Sequence, residues 1–112
     1  SSVLMLESYK ETDLDVPVEE DILDLVDIFL GNQRKEVQNV RSALQNGDLP
    51  LVVRAGHSMK GVGPMYGFHW IGKAGKEVER LGKEDPAQLP PVLDLLEEYL
   101  EKVRYHPQTD LL

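Results

Sequence analysis

The side chains of this chain that are best suited to chemistry lie within one short stretch, His57-Ser58-Met59-Lys60-Gly61. A neutral imidazole nitrogen is a good nucleophile near pH 7. In a helix, a lysine three residues after a histidine lies about one turn away, so this spacing places a cation near the ring. Glycine inside a helix costs about 1 kcal/mol relative to alanine, so Gly61 requires a reason. The pattern predicts either a reactive histidine with open space beside it or a solvated surface histidine next to a helix-end glycine.

The apolar residues around this stretch follow a helical repeat that leaves His57 on the solvent side. They are Val52, Ala55, Gly56, Met59, Val62, Gly63 and Tyr66. At about 100° per residue they cluster within roughly 60° of one direction, and His57 points almost directly away from it. Gly61 lies one turn after His57, and Arg54 lies one turn before it. We therefore expect an exposed imidazole with bare backbone and cations beside it.

The helix that carries His57 has a recognisable start and end. Asp48 is a typical N-cap residue, and Pro50 falls in the first turn, where a missing N–H costs nothing. Pro64 lacks the N–H that would bond to the carbonyl of Lys60. The sequence therefore predicts a helix that kinks or ends near Pro64.

Three further helical segments complete the predicted fold, each with apolar residues at helical spacing between turn signals. The first begins at residues 15–20, with Pro17 in its first turn, and ends at Asn46-Gly47, as one long helix or two nearly coaxial ones. The second runs from Phe68 or Trp70 to Lys83, and the third runs from about Pro90 to Tyr105. No convincing strand is visible. We predict one domain, residues 1–112, folded as an all-α antiparallel four-helix bundle over about 17–106. Residues 1–16 would form an acidic tail or a short lead-in helix.

The chain carries a net charge of −8 that is unevenly distributed. Residues 1–30 contain nine acidic residues and one basic residue, whereas residues 51–83 contain six basic residues and two acidic ones. The histidine therefore lies in a locally basic neighbourhood on a molecule too acidic to favour nucleic acid. An acidic partner pocket or a phosphoryl group would suit this neighbourhood, as would the simpler interpretation of scattered helix-surface lysines.

Several classes of protein are disfavoured by composition. No apolar run approaches the roughly 18–20 residues of a membrane span, and no signal peptide is visible, so we expect a cytoplasmic protein without membrane insertion. With no cysteine, the chain has no disulfides and no thiolate metal ligands. His69 and His106 have no spacing that joins them to His57 on one helix face, so we predict no metal site.

The motif H-S-M-K-G, followed by a glycine at the tenth position after the histidine, resembles the signature of histidine phosphotransfer (HPt) domains of two-component phosphorelays. The matching residues are His57, Met59, Lys60, Gly61 and Gly67. The resemblance extends to the hydrophobic pattern from about residue 22 to residue 103. Pro64 departs from it, because small polar residues or alanine are common in that region of the family.

The resemblance implies roles for four residues. His57 would accept a phosphoryl group on the ring nitrogen farther from the backbone. Lys60 would neutralise the phosphoryl oxygens, Gly61 would let a partner approach, and Gly67 would serve the turn into the next helix. From the helical wheel alone, and not from the motif, we add Val53 and Arg54 as rim contacts.

The resemblance also implies partners. The donor and the acceptor would be response-regulator receiver domains carrying an aspartyl phosphate, with a sensor histidine kinase as another donor. The receiver would supply the Mg²⁺ ion and the acidic pocket, so the domain would need no cofactor of its own. It would act as a monomeric phosphoryl carrier and not as an enzyme.

Two other functions are compatible with the same residues. One is a helical protein-interaction module whose exposed face binds a partner without phosphohistidine chemistry. The more remote one is a helical-bundle metalloprotein. Incubation with a phosphorylated receiver, followed by an assay for acid-labile and base-stable phosphate, distinguishes a phosphoryl carrier from an interaction module.

Overall fold

The computed structural model describes residues 3–108 of the chain. Within them, four helices form a bundle: α1 Val26–Gln45, α2 Leu49–Met65, α3 His69–Glu84 and α4 Leu89–Lys102. There are also three 3₁₀ turns within these residues: Glu11–Leu14, Glu20–Leu25 and Pro86–Gln88. Two strands complete the elements, β1 Asp15–Val18 and β2 Arg104–Pro107. The predicted all-α four-helix bundle is confirmed. The two ends of the predicted domain, residues 1–2 and 109–112, lie outside the described residues.

The helix that carries His57 begins and ends where the sequence predicts. The carboxylate of Asp48 accepts a hydrogen bond from the backbone N–H of Leu51 at 3.2 Å. This bond satisfies one of the amides that the first turn of a helix leaves free. At the other end, α2 stops at Met65, one residue after Pro64.

The segment predicted to start the first helix is instead a β-strand. β1 pairs in parallel with β2, far away in the sequence. Val16 and Val18 are buried while Asp15 and Pro17 are exposed, which is the alternation of a half-buried strand. The prediction of a helix start at residues 15–20 was therefore wrong, and α1 begins only at Val26.

The strand pairing also changes the end of the bundle. α4 stops at Lys102 and not near Tyr105 as predicted, because residues 104–107 are extended in β2. The backbone N–H of Gln108 donates to the carbonyl oxygen of Val18 at 2.7 Å, which extends the contact beyond the paired residues. Elsewhere the predicted long first helix is one continuous element, since Gly31 lies inside α1 without breaking it.

The N-terminal residues 3–14, called the strap here, lie along α3 and α4. The indole N–H of Trp70 donates to the backbone carbonyl of Glu7, and the hydroxyl of Tyr99 donates to that of Asp13, both at 3.0 Å. Within residues 3–14, the alternative of a short lead-in helix is reduced to one 3₁₀ turn, and the rest of the strap has no regular secondary structure.

The hydrophobic core lies between the four helices and closes over the inner face of β1. Its fully buried members include Val26, Val40, Val52, Phe68, Ile71, Ala74, Val78, Leu81, Leu89 and Tyr99. Across the part of the chain from residue 3 to residue 108, no helix combines the length and the apolar character needed to cross a membrane.

Candidate functional site

His57 projects from the middle of α2 into solvent. Its side chain is 70% exposed, and Nδ1 lies 3.1 Å from a carboxylate oxygen of Glu79 on α3. Nε2 makes no hydrogen bond to any other residue within 3–108. The ring is therefore anchored on one nitrogen and open on the other.

Glu79 is the residue that organises this site. One of its oxygens, Oε2, contacts His57, and the other, Oε1, accepts a hydrogen bond from the ammonium of Lys60 at 2.8 Å. The hydrogen bond from Lys60 lowers the pKa of Glu79 below its ordinary value; burial opposes this effect in part, and the hydrogen bond with His57 adds a smaller lowering. Glu79 is consequently an ionised carboxylate at neutral pH.

The charge of Glu79 determines the tautomer of His57. An ionised carboxylate has no proton to donate, so Nδ1 of a neutral imidazole must carry the hydrogen that joins the two groups. The lone pair then resides on Nε2, on the exposed edge of the ring. The arrangement is that of an oriented nitrogen nucleophile.

Lys60 lies beside the ring but is already paired. Its side chain is 41% exposed, and its ammonium is held by Glu79. Lys83 approaches the same carboxylate at 3.9 Å. Lys60 is therefore a cation positioned near the nucleophile by the same residue that orients it.

The predicted glycine positions have distinct surroundings. Gly61 is exposed, and a Cβ added to it would meet no atom within 4 Å outside its own helix. Gly67 has φ +91° in the turn between α2 and α3, a backbone conformation that favours glycine. A Cβ on Gly67 would lie 3.4 Å from the carbonyl oxygen of Pro17. The backbone beside His57 is thus open, whereas the turn after α2 requires a glycine.

The two predicted rim residues differ in exposure. Arg54 is exposed one turn before His57. Val53 is half-buried, and a Cβ added to Gly82 on α3 would lie 3.0 Å from its Cγ2 atom. A contact of either side chain with a partner stays a prediction.

Sequence reasoning missed Glu79, although a signal for it was present. Gly75 has no side chain to keep a neighbouring helix at a distance, and Glu79 follows it by one helical turn on the same face. A Cβ on Gly56, the residue before His57, would lie 2.8 Å from the carbonyl oxygen of Gly75. The acidic residue one turn after this glycine contact on the neighbouring helix was therefore the candidate partner for His57.

Two different surfaces flank His57. On the α3 side, a groove of about 730 Å³ runs between the strap and the helix, and Lys60, Lys76 and Lys83 are among the residues that line it. On the α1 side, Ile28 is 62% exposed at a groove that includes Ser58. Within residues 3–108, no three His, Cys, Asp or Glu side chains are grouped so that they could hold a metal ion.

Comparison with known proteins identifies the family of this domain. The family model for the Hpt domain matches residues 24–106. The chain belongs to the Hpt domain family. Members of this family are phosphoryl carriers of two-component systems and interact with receiver domains and kinases. No curated protein and no solved structure matches this chain. The strap and β1 precede the matched residues.

Proposed function

We propose that this Hpt domain is a phosphorelay intermediate whose phosphorylated residue is His57. It accepts a phosphoryl group from the aspartyl phosphate of a receiver domain, or from a sensor histidine kinase, and passes it to another receiver domain. The observation that carries this proposal is the exposed imidazole whose Nδ1 is held by Glu79. Such a ring presents Nε2 to a partner in one orientation and one tautomer.

The transfer step follows from this geometry. The lone pair on Nε2 attacks phosphorus, the bond between phosphorus and the aspartyl oxygen breaks, and the aspartate leaves as a carboxylate. Phosphoryl transfer has a loose transition state, so positioning and charge neutralisation supply most of the catalysis. Lys60 is the cation that neutralises the phosphoryl oxygens, and the bare backbone of Gly61 admits the receiver.

The partner supplies what the domain lacks for this step. The Mg²⁺ ion and the acidic pocket belong to the receiver, and the Hpt domain contributes the nucleophile and no cofactor. We further propose that the domain acts in the cytoplasm as a monomer, where a chain without cysteine is suited to reducing conditions. The proposed rim contacts are Val53 and Arg54, which lie about one turn before the histidine on α2.

The proposal is tested by phosphorylation with phosphoramidate, a small phosphoryl donor, followed by transfer to purified receiver domains. The product should be acid-labile and base-stable phosphate, absent from His57→Gln and retained in His69→Gln and His106→Gln. The free energy of unfolding of His57→Gln should lie within about 0.5 kcal/mol of that of the unmodified chain, because His57 is exposed. Labelling that persists in His57→Gln would assign phosphorylation to another residue. A chain that binds receivers without any labelling would be a protein-interaction module.

A further inference from the structure

The contact between Nδ1 of His57 and Glu79 has a consequence for the phosphorylated state. We propose that Glu79 keeps Nδ1 protonated after phosphoryl transfer, so that the domain stores its phosphoryl group on an imidazolium ring. This inference rests on the proposed function and adds a positioning residue to it. It follows from the location of the carboxylate, 3.1 Å from the nitrogen that does not react.

The proton balance of the reaction supports this assignment. A neutral ring with its hydrogen on Nδ1 attacks through Nε2, and the new N–P bond leaves one positive charge on the ring. No proton has to leave, because the carboxylate accepts the hydrogen bond from Nδ1 before and after the step. In the reverse direction the N–P electron pair returns to Nε2, and a neutral imidazole departs. A ring that had lost the Nδ1 proton would have to leave as an imidazolate, which is a much poorer leaving group.

The two oxygens of Glu79 allow its two partners to act separately. Lys60 is bound to Oε1, whereas His57 is bound to Oε2. The ammonium of Lys60 can therefore turn towards the phosphoryl oxygens while the ring keeps its own hydrogen bond. Glu79 then neutralises the imidazolium after Lys60 has been drawn away.

The contact with Glu79 favours the protonated form of the ring, against the cations that lie around it. On α2, Arg54 and Lys60 lie within one turn of His57. Further charged residues line the groove next to Glu79: Glu7 of the strap, and Lys73, Lys76, Glu77, Arg80, Lys83 and Glu84 of α3. Among residues 3–108, Glu79 is the acidic residue in contact with the ring. A dianionic phosphoryl group, an imidazolium, Glu79, Lys60 and Lys83 together sum to zero charge, whereas loss of the proton would leave a negative charge beside Glu79.

The direct test is ¹⁵N NMR of histidine-labelled protein phosphorylated with phosphoramidate. The Nδ1 resonance of phosphorylated His57 is followed from acidic to alkaline pH, and His57→Gln identifies it among the three histidines. In Glu79→Gln the pH midpoint of Nδ1 deprotonation should fall by about one unit, since an opposite charge in contact has been removed. Above that midpoint, transfer to a receiver should slow by about tenfold relative to the unmodified chain. Glu101→Gln removes the same charge from the exposed face of α4 and should change neither quantity.

Variants at Lys60 separate the effect of Glu79 from the release of its partner. Lys60→Met removes a positive charge and should raise the midpoint, the opposite direction from Glu79→Gln. Glu79→Asp keeps the charge on a shorter side chain and should restore part of the shift. An identical midpoint in Glu79→Gln and the unmodified chain, with His57 labelled in both, would overturn this inference alone. Phosphate attached to a residue other than His57 would instead overturn the proposed function.

Discussion

Gly56 on α2 and Gly75 on α3 contact each other through bare backbone. A Cβ on Gly56 would lie 2.8 Å from the carbonyl oxygen of Gly75, and a Cβ on Gly75 would lie 2.8 Å from the carbonyl oxygen of Gly56. The two backbones therefore lie close together beside His57, where no side chain separates them. This approach brings the carboxylate of Glu79 within reach of the imidazole. Two glycines that carry no reactive group thus set the geometry of the site.

The same substitution at two glycines should have opposite effects on stability. Gly75→Ala forces a methyl group against Gly56 and Lys60 backbone atoms, so it should lower the free energy of unfolding by about 1–3 kcal/mol. Gly61→Ala adds a methyl group in open space and should raise it by roughly 0.5–1 kcal/mol. Urea unfolding monitored by circular dichroism measures both. Equal stabilities of the two variants would show that α2 and α3 can separate without cost.

The sequence predicts local features of this fold better than distant ones. Asp48, Pro64 and the apolar stripe of α2 act within a few residues, and all three predictions about them hold. The segment at residues 15–18 has helix-start residues, yet it becomes a strand because it pairs with β2, which follows the last helix in the sequence. Pairing with that strand overrides the local preference.

In the candidate site too, the features within one helix are predicted and the contact between helices is not. His57, Lys60 and Gly61 belong to one short motif on one helix, so their spacing is visible in the sequence. Glu79 belongs to another helix, and only the packing of α2 on α3 brings it to the histidine. The sequence places Lys60 one turn from His57, but it does not show that the ammonium of Lys60 is paired with that carboxylate. A motif therefore predicts which residue reacts, and the tertiary contact determines how that residue is held.

Lys60 should matter for transfer and little for folding. Lys60→Ala removes the cation beside the nucleophile, and we expect phosphoryl transfer to a receiver to slow by about tenfold, the loss of one charge-assisted hydrogen bond. The free energy of unfolding should change by no more than about 0.5 kcal/mol. Lys73→Ala, an exposed lysine further along the groove of α3, is the matched control. Equal transfer rates of Lys60→Ala and Lys73→Ala, at low salt and at high salt, would show that Lys60 is only a surface charge.

Acid should loosen the strap through Glu77. This buried carboxylate accepts hydrogen bonds from Arg80 and from the backbone N–H of Met5 at 2.7 Å. Arg80 chiefly, and Met5 to a smaller extent, lower the pKa of Glu77 below its ordinary 4.5, with burial opposing them. Because the pKa is lower in the folded state, the stabilisation is present above pH 4.5 and is lost as the pH falls through the lowered value.

Urea unfolding at a series of pH values between 7 and 3 tests this role. The unmodified chain should lose more stability on acidification than Glu77→Gln, which has no carboxylate to protonate at that position. Glu101→Gln, on the exposed face of α4, should retain the full loss. Parallel curves for Glu77→Gln and the unmodified chain would assign the acid sensitivity to other carboxylates.

Gly61 should separate stability from function. A glutamine at this position replaces a poor helix former on an exposed face, so Gly61→Gln should melt at or above the temperature of the unmodified chain. Its long side chain would occupy the open space one turn from the imidazole, where the loops of a receiver must pass. We therefore expect much slower transfer from Gly61→Gln, an intermediate rate from Gly61→Ala, and unchanged labelling by phosphoramidate, which needs little space. Transfer from Gly61→Gln at the rate of the unmodified chain would show that partners approach His57 from another side.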